Sequence, residues 1–234
     1  MIKKIMLSCS ALVIAATTSS VQAQQLSVSV ENLTNGMNFT GLLISAHDDA
    51  THLFQTGEAA SAELQAMAEG GALPDLVALL SNANNAVDPV GGLLGPGLKS
   101  PAAAIDTGTS NNKYLSVVAM MLPTNDGFIG LDGWEIPTTS GTYTIYLNGY
   151  DAGTEANDEI INGGGMPNTP GIPAAPSGPT GTGASGVAGA DENQTIHIHR
   201  GNLGDTDATG GKSDVDSRVH RWLNPVARVT VTVQ

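Results

Sequence analysis

The sequence predicts an all-β protein, an antiparallel β-sandwich with two short helices and one long Gly/Pro-rich loop. Short segments with apolar–polar alternation are spread along the whole chain, whereas helical spacing of apolar residues is confined to two short stretches. Strands that occur throughout a chain with few helices between them are typical of an antiparallel sandwich. The fold class follows from this distribution.

Six segments combine β-branched residues with alternation, which is the pattern of half-buried strands. They are residues 26–30, 41–45, 115–122, 143–147, 195–199 and 226–233. The last segment alternates most regularly. It predicts an antiparallel strand with Val229, Val231 and Val233 on one face.

Two helices and a loop complete the predicted domain. Residues 58–69 have helical spacing and are closed by Gly70-Gly71, and residues 74–82 begin with a proline that a first helical turn tolerates. We expect both helices to cover one end of the sheets. Residues 163–190 contain no charged side chain, and half of the positions are Gly or Pro. Such a stretch buries little apolar surface, so we predict a flexible loop inserted in a single domain.

The first 23 residues have the order of a cleavable signal peptide. A basic start at Lys3-Lys4 is followed by an apolar stretch too short to span a bilayer and by small residues before a cleavage site after Ala23. We therefore expect residues 24–234 to form one domain that is periplasmic or secreted, without membrane insertion. Cleavage would also remove Cys9, the only cysteine, so neither a disulfide nor a thiolate is available to the mature domain.

The charge of the chain is strongly acidic. The sequence has 9 Lys and Arg against 22 Asp and Glu, and removing Lys3 and Lys4 leaves 7 − 22 = −15. Nucleic acids and anionic membranes are bound by Lys and Arg, so this balance argues against both as partners. It favours cations, although acidity for solubility alone gives the same count.

Carboxylates concentrate in turns after two predicted strands. Asn125-Asp126-Gly127 follows one strand, and Asp151 to Glu155 follows another. Calcium takes six to eight oxygen ligands, which converging loops at one end of a sandwich can supply. A calcium site and solvated acidic turns are both compatible with this spacing.

Five segments in order resemble the spondin-N family. They match its "S-P-D-W-x-V-G", "D-A-G-T-D", "P-N-x-P-x-I-P", "H…W/F…G-x-x-A-S…A-E-x-G" and "V-A-R-V" patterns, at residues 123–130, 150–155, 167–173, 47–70 and 225–229. The resemblance implies a C2-like β-sandwich that holds one Ca²⁺ at the end of the sandwich. Position by position, it implies the ligands Asp126, Asp151 and Glu155. Glu155 stands where the family has Asp, and Gly127 stands where it has an aromatic residue.

Other clusters leave alternatives open. His197 and His199 share a strand face and, with His220, are candidates for a transition-metal site. Asp205, Asp207 and Asp216 follow part of an EF-hand spacing, although a flexible acidic loop fits this stretch better. His47 lies in a histidine- and aspartate-rich stretch, residues 47–52, whose chemistry the sequence leaves undefined.

The sequence therefore supports a non-catalytic, exported calcium-binding module for adhesion or recognition of an extracellular or periplasmic protein or polymer. The first alternative is a periplasmic structural protein whose Ca²⁺ only stabilises the fold. The second is a hydrolase that uses His47 or His197 and His199. The chain has no G-x-S-x-G, no H-E-x-x-H and no usable Cys, so nothing in the sequence arranges a nucleophile with a base.

Overall fold

The computed structural model describes residues 23–108, 111–190 and 193–234, so the predicted signal peptide lies outside the described residues except for Ala23. Ten strands and two helices follow one another in the described part of the chain. In order they are β1 Gln25–Asn32, β2 Asn38–Phe39, β3 Leu43–His47, α1 Ala62–Gly70, α2 Pro74–Leu79, β4 Asn84–Val87, β5 Ala103–Asp106, β6 Tyr114–Leu122, β7 Gly127–Glu135, β8 Gly141–Asp151, β9 His197–Ile198 and β10 Ala227–Val233.

Antiparallel pairing joins the strands into a nearly closed sheet. Eight of them follow the order β4-β3-β6-β7-β8-β10-β1-β5, while β2 pairs with β6 and β9 pairs with β8. The end strands β4 and β5 approach each other. There the Asn84 side-chain amide donates a hydrogen bond to the carbonyl of Asp106. This architecture confirms the predicted all-β class with two short helices.

One apolar core fills the interior of this sheet. Strand β10 pairs with β1 on one side and with β8 on the other. Its residues Val229, Val231 and Val233 are all buried in this core, as the alternation predicted. They pack there with Val28 and Val30 of β1.

Strand β6 is buried on both faces, whereas alternation predicted a half-buried strand. Leu115 and Val117 belong to the interior core, and Val118 and Met120 belong to a second apolar cluster on the outer face. Helices α1 and α2 contribute to that second cluster, and α1 lies against β6 and β7. The helices therefore cover the outer face of β6, which would otherwise expose apolar side chains to water.

The ends of α1 are fixed by two local signals. The Ser61 hydroxyl accepts a hydrogen bond from the Leu64 N–H at 3.2 Å, and Gly71 ends the helix in the left-handed region with φ +72°. Helix α1 therefore begins later than the predicted residue 58. Helix α2 begins at Pro74 as predicted and ends at Leu79, before the predicted residue 82.

Four strands were missed by the sequence pattern, namely β2, β4, β5 and β7. Strand β7 contains three glycines and little alternation, and it forms because it pairs with both β6 and β8. The predicted strand at 195–199 is reduced to β9. All of residues 163–190 are described and form neither a helix nor a regular strand, but Ile172 within them is fully buried in the outer cluster.

We expect Gly130→Ala to lower the free energy of unfolding by about 1–3 kcal/mol. A Cβ at Gly130 would lie 2.5 Å from Cζ of Phe54, whose ring packs edge-on against Phe128. Urea unfolding measures the change. The control is Gly141→Ala, since a Cβ there meets nothing nearer than 3.6 Å. Equal stabilities of the two variants would contradict this packing.

Candidate metal centre

Asp126 and Asp151 lie side by side at one end of the sheet. Asp126 precedes β7 and Asp151 is the last residue of β8, and the register pairs Gly127 with Asp151. The carbonyl of Asp126 accepts a hydrogen bond from the Ala152 N–H at 3.2 Å. Asp151 is therefore part of the strand itself, four residues beyond the end of the predicted segment 143–147.

A tight turn positions Asp126. The Thr124 hydroxyl donates to the carbonyl of Met121 at 2.5 Å and accepts from the Gly127 N–H at 3.0 Å. A Cβ at Gly127 would lie 2.7 Å from Oγ1 of Thr124, so this turn requires glycine where the spondin-N pattern has an aromatic residue. The next residue, Phe128, is fully buried in the outer apolar cluster.

Asp126 is completely buried, and its two carboxylate oxygens differ in the hydrogen bonds that they accept. Oδ2 accepts from the backbone N–H groups of Thr154 and Glu155 at 2.7 and 3.1 Å, and from the Thr154 hydroxyl at 3.2 Å. Oδ1 accepts no hydrogen bond from any described residue. A buried carboxylate oxygen without a donor is costly, so a proton, a water molecule or a cation is needed to compensate it.

Glu155 presents the same asymmetry and is only 7% exposed. Its Oε2 accepts from the Gly171 N–H at 3.1 Å and from the Asn125 side-chain amide at 3.3 Å. Its Oε1 is buried and receives no donor within the described chain. Gly171 belongs to the long Gly/Pro-rich loop, so this loop contacts the acidic cluster directly.

Asp151 completes the predicted set and is 1% exposed. Its Oδ1 accepts from the Gly153 N–H at 2.8 Å, and its Oδ2 accepts from the Asn157 side-chain amide at 2.7 Å. A Cβ at Gly153 would lie 2.7 Å from the backbone carbon of Gln194, so only glycine fits this close approach. The structure thus brings all three sequence-predicted ligands to one place.

Burial governs the electrostatics of the cluster. Burial, together with a smaller effect of the negative charge of Asp151, raises the pKa of Asp126 to about 7. Burial likewise raises the pKa of Glu155 to about 7, with smaller contributions from the charges of Glu69 and Asp126. Hydrogen bonds from backbone N–H groups lower both pKa values, but by less than burial raises them. Ionising these groups without a cation is therefore unfavourable.

The carboxylate oxygens of this cluster are suitable ligands for a hard cation. Oδ1 of Asp126 and Oε1 of Glu155 are buried oxygens that lack a donor, and oxygen is the ligand atom that Ca²⁺ prefers. As the side chains stand, no three His, Cys, Asp or Glu residues of the described ranges are grouped closely enough to hold a metal ion. Binding would thus require these carboxylates to turn towards a common point.

The two strand histidines flank Asp151. Nε2 of His197 and Nε2 of His199 lie 3.8 and 3.9 Å from Oδ2 of Asp151, so the predicted shared face is directed at the acidic cluster. The Gly201 N–H donates to Nδ1 of His199, so neutral His199 carries its proton on Nε2. The backbone N–H of His220 donates to the carbonyl of Asp216, in the acidic loop.

The acidic loop at 205–216 is stabilised by its own backbone. Asp205 accepts from the N–H groups of Asp207, Lys212 and Ser213 at 2.7–3.0 Å, and these bonds lower its pKa. Asp207 caps Thr209 in the same manner. No helix of the described chain flanks this loop, because α2 is the last one. These contacts are those of an acidic loop whose carboxylates accept local hydrogen bonds.

The His47 cluster forms a buried hydrogen-bond network between β3, β6 and β7. Nε2 of His47 lies 2.7 Å from the Ser116 hydroxyl, and Nδ1 lies 2.6 Å from the carbonyl of Asp48. A carbonyl only accepts, so Nδ1 of neutral His47 donates and its Nε2 is an acceptor. The Ser116 hydroxyl has one proton, for which Nε2 of His47 competes with Oδ1 of Asp132 at 3.3 Å. His47 is 2% exposed and Ser116 is fully buried, so this Ser–His pair has no access to a substrate in solution.

Glu69, the next-to-last residue of α1, was missed as a site residue. It is fully buried and its charge acts on Glu155. The sequence contained one signal, the Ala68-Glu69-Gly70 stretch that matches the spondin-N "A-E-x-G" pattern. Without the fold, that match gave no reason to bring a helix terminus near residues 126 and 155.

The fold and the site define an all-β domain with a buried acidic cluster at the strand ends. The Spondin_N family model matches residues 31–167, which is more than half of the chain, and the chain belongs to this family. The match includes the three predicted ligands and Glu69. No curated protein matches the chain. Spondin_N is a family of extracellular, generally non-catalytic domains, and neither described helix has the length and apolarity to cross a membrane.

In chelator-treated protein, we expect the Asp126 contribution to stability to fall as pH rises. Its pKa is raised from 3.8 to about 7, so the protonated form stabilises the fold. This contribution is fully present below the unfolded-state pKa and is lost as pH passes the folded-state pKa.

Thermal melts of wild type and Asp126→Asn at about pH 5 to 8 test this linkage. The melting temperature of wild type should fall relative to that of the variant across this range. A wild-type melting temperature that rises relative to the variant would contradict the shift.

Proposed function

We propose that this chain is an exported calcium-binding module for adhesion or recognition that acts by binding, not by catalysis. One Ca²⁺ would be held by Asp126, Asp151 and Glu155, after signal-peptide cleavage at about Ala23 into the periplasm or the extracellular space. The observation that carries the proposal is the pair of buried carboxylate oxygens, on Asp126 and Glu155, that receive no donor from the described chain.

The ion would link three parts of the chain. Asp126 comes from the β6–β7 turn, Asp151 ends β8, and Glu155 accepts from Gly171 of the Gly/Pro-rich loop. Neutralising the carboxylates removes their mutual repulsion and their desolvation cost. The bound ion would therefore order the loops at this end of the sheet. Backbone carbonyls and water can complete the six to eight oxygens that Ca²⁺ takes.

A cleft whose lining does not include Asp126, Asp151 or Glu155 supports the recognition role. It has a volume of about 540 Å³ and is lined by Tyr146, Tyr150, Asn148, His52 and Asp132, among others. Such a volume is typical of ligand sites. None of the described residues that line it is Lys or Arg. The cleft thus suits a neutral or cationic group of a protein or polymer, with the exposed ring of Tyr146 as a contact surface.

The alternative is a periplasmic structural protein in which Ca²⁺ only stabilises the fold. Burial of the site favours this reading, because Asp126 and Asp151 are at most 1% exposed and an ion there would not touch a partner directly. The two functions share the same metal site. They differ in whether the ordered surface binds anything.

We expect chelator-treated wild type to bind one Ca²⁺ and to melt at a higher temperature when it is bound, because binding to the folded state stabilises it. Asp151→Asn should weaken binding by about tenfold or more, since it removes a charged ligand. Calorimetric titration and thermal melts provide the measurements. Asp207→Asn is the matched control, because it removes the same charge from the exposed acidic loop. Equal heats and melting temperatures for wild type and Asp151→Asn would rule out the proposed site.

We expect capture of a partner from extracytoplasmic extracts to require calcium and Tyr146. A pull-down with and without chelator, using wild type, Tyr146→Ala and Leu223→Ala, separates the two functions. Leu223 is 84% exposed and is not among the residues that line the cleft, so its variant controls for the loss of exposed apolar surface. A purely stabilising ion predicts no specific partner, and that result would support the structural alternative.

A further inference from the structure

A fourth carboxylate, that of Glu69, is buried close enough to Glu155 for its charge to act on that residue. The residue is fully buried, and its Oε1 accepts from the Gln65 side-chain amide at 2.6 Å. Its Oε2 is buried and accepts no hydrogen bond from the described chain. The charge of Glu69 acts on Glu155, so the two side chains share one electrostatic environment.

Helix stability does not explain an acid at this position. The C-terminus of a helix carries a partial negative charge, which disfavours a carboxylate in the last turn. Glu69 occupies this turn of α1, which contains no basic residue. Among the described residues, none of the ion pairs includes Glu69. A proton, a water molecule or a cation can compensate this buried acid, and a cation would also compensate the neighbouring Glu155.

The end of α1 also touches the loop that borders the site. A Cβ at Gly70 would lie 2.0 Å from the carbonyl oxygen of Gly165, so the two backbones are in direct contact. A Cβ at Gly165 would in turn lie 2.9 Å from the carbonyl oxygen of Glu69. The same loop provides the Gly171 N–H to Oε2 of Glu155. The Gly/Pro-rich loop therefore contacts both the end of helix α1 and the acidic cluster.

We propose that Glu69 is a further ligand of the cation site and attaches helix α1 to the bound ion. The proposal rests on the calcium function above. Oε2 of Glu69 would bind the ion together with Oδ1 of Asp126 and Oε1 of Glu155, the three buried oxygens that lack donors in this cluster. With Asp151, the site then contains four carboxylates.

The presence of four carboxylates affects whether the site binds a divalent or a trivalent ion more tightly. Their formal charge of −4 exceeds that of one Ca²⁺, so the site attracts a trivalent oxygen-seeking ion of similar size more strongly than Ca²⁺. Tb³⁺ is such an ion and reports binding by luminescence. Removing one of the four charges should reduce Tb³⁺ affinity by a larger factor than Ca²⁺ affinity.

Glu69→Gln tests the proposal, with Glu63→Gln as the matched control. Both substitutions remove one charge from α1, and Glu63 lies in the first turn, half-buried. We expect Glu69→Gln to raise the melting temperature of the chelator-treated protein, because a buried charge is removed, and to weaken Ca²⁺ binding by about tenfold or more. Calcium should slow amide exchange in α1 of wild type and of Glu63→Gln, and do so less in Glu69→Gln.

The outcomes separate this proposal from the calcium function. If wild type binds Ca²⁺ and Glu69→Gln binds it equally tightly, with an unchanged Tb³⁺ to Ca²⁺ ratio, Glu69 is not a ligand while the calcium function stands. If wild type binds no Ca²⁺, both fail. If Glu69→Gln does not fold, Glu69→Asp replaces it. That variant keeps the charge but withdraws the oxygens by one methylene, so weaker Ca²⁺ binding is expected and unchanged binding would overturn the proposal.

Discussion

The constraint on which this end of the structure depends is the burial of several carboxylates near the start of β7 and the end of β8. Asp126, Asp151 and Glu69 are at most 1% exposed, and Glu155 is 7% exposed. Their repulsion and lost hydration oppose folding unless protons or a cation neutralise them. Backbone donors from residues 153–155 and 171 compensate part of this cost. Three oxygens stay uncompensated, and these carry the case for a cation.

The fold explains why these groups are brought together. Strand β6 is buried on both faces, so a second layer of α1 and loop residues must cover it. That second layer brings Gly171 and Glu69 to Glu155. At the same end of the sheet, the register pairs Gly127 with Asp151 and so brings Asp126 next to Asp151. The acidic cluster is thus the polar edge of the outer apolar cluster, which contains Ala152 and Ile172.

The sequence predicted what depends on local pattern and on motif. Alternation identified β10 and its buried face, and turn residues after strands, together with the spondin-N resemblance, brought out Asp126, Asp151 and Glu155. The sequence did not reveal β7, because its glycines interrupt the alternation of apolar and polar residues and because its pairing partners lie on other strands. It also did not reveal Glu69, because nothing in a helical stretch shows that its last turn faces an acidic cluster. Treating residues 163–190 as an insertion missed the contact of Gly171 with Glu155, since hydrogen bonds from backbone N–H groups leave no trace in side-chain composition.

The most direct test is an anomalous-diffraction experiment on crystals grown with calcium or a lanthanide. The account predicts one strong peak between Asp126, Asp151 and Glu155, at about 2.3–2.6 Å from carboxylate oxygens for Ca²⁺. A peak only in the acidic loop at 205–216, or none at millimolar calcium, would contradict it.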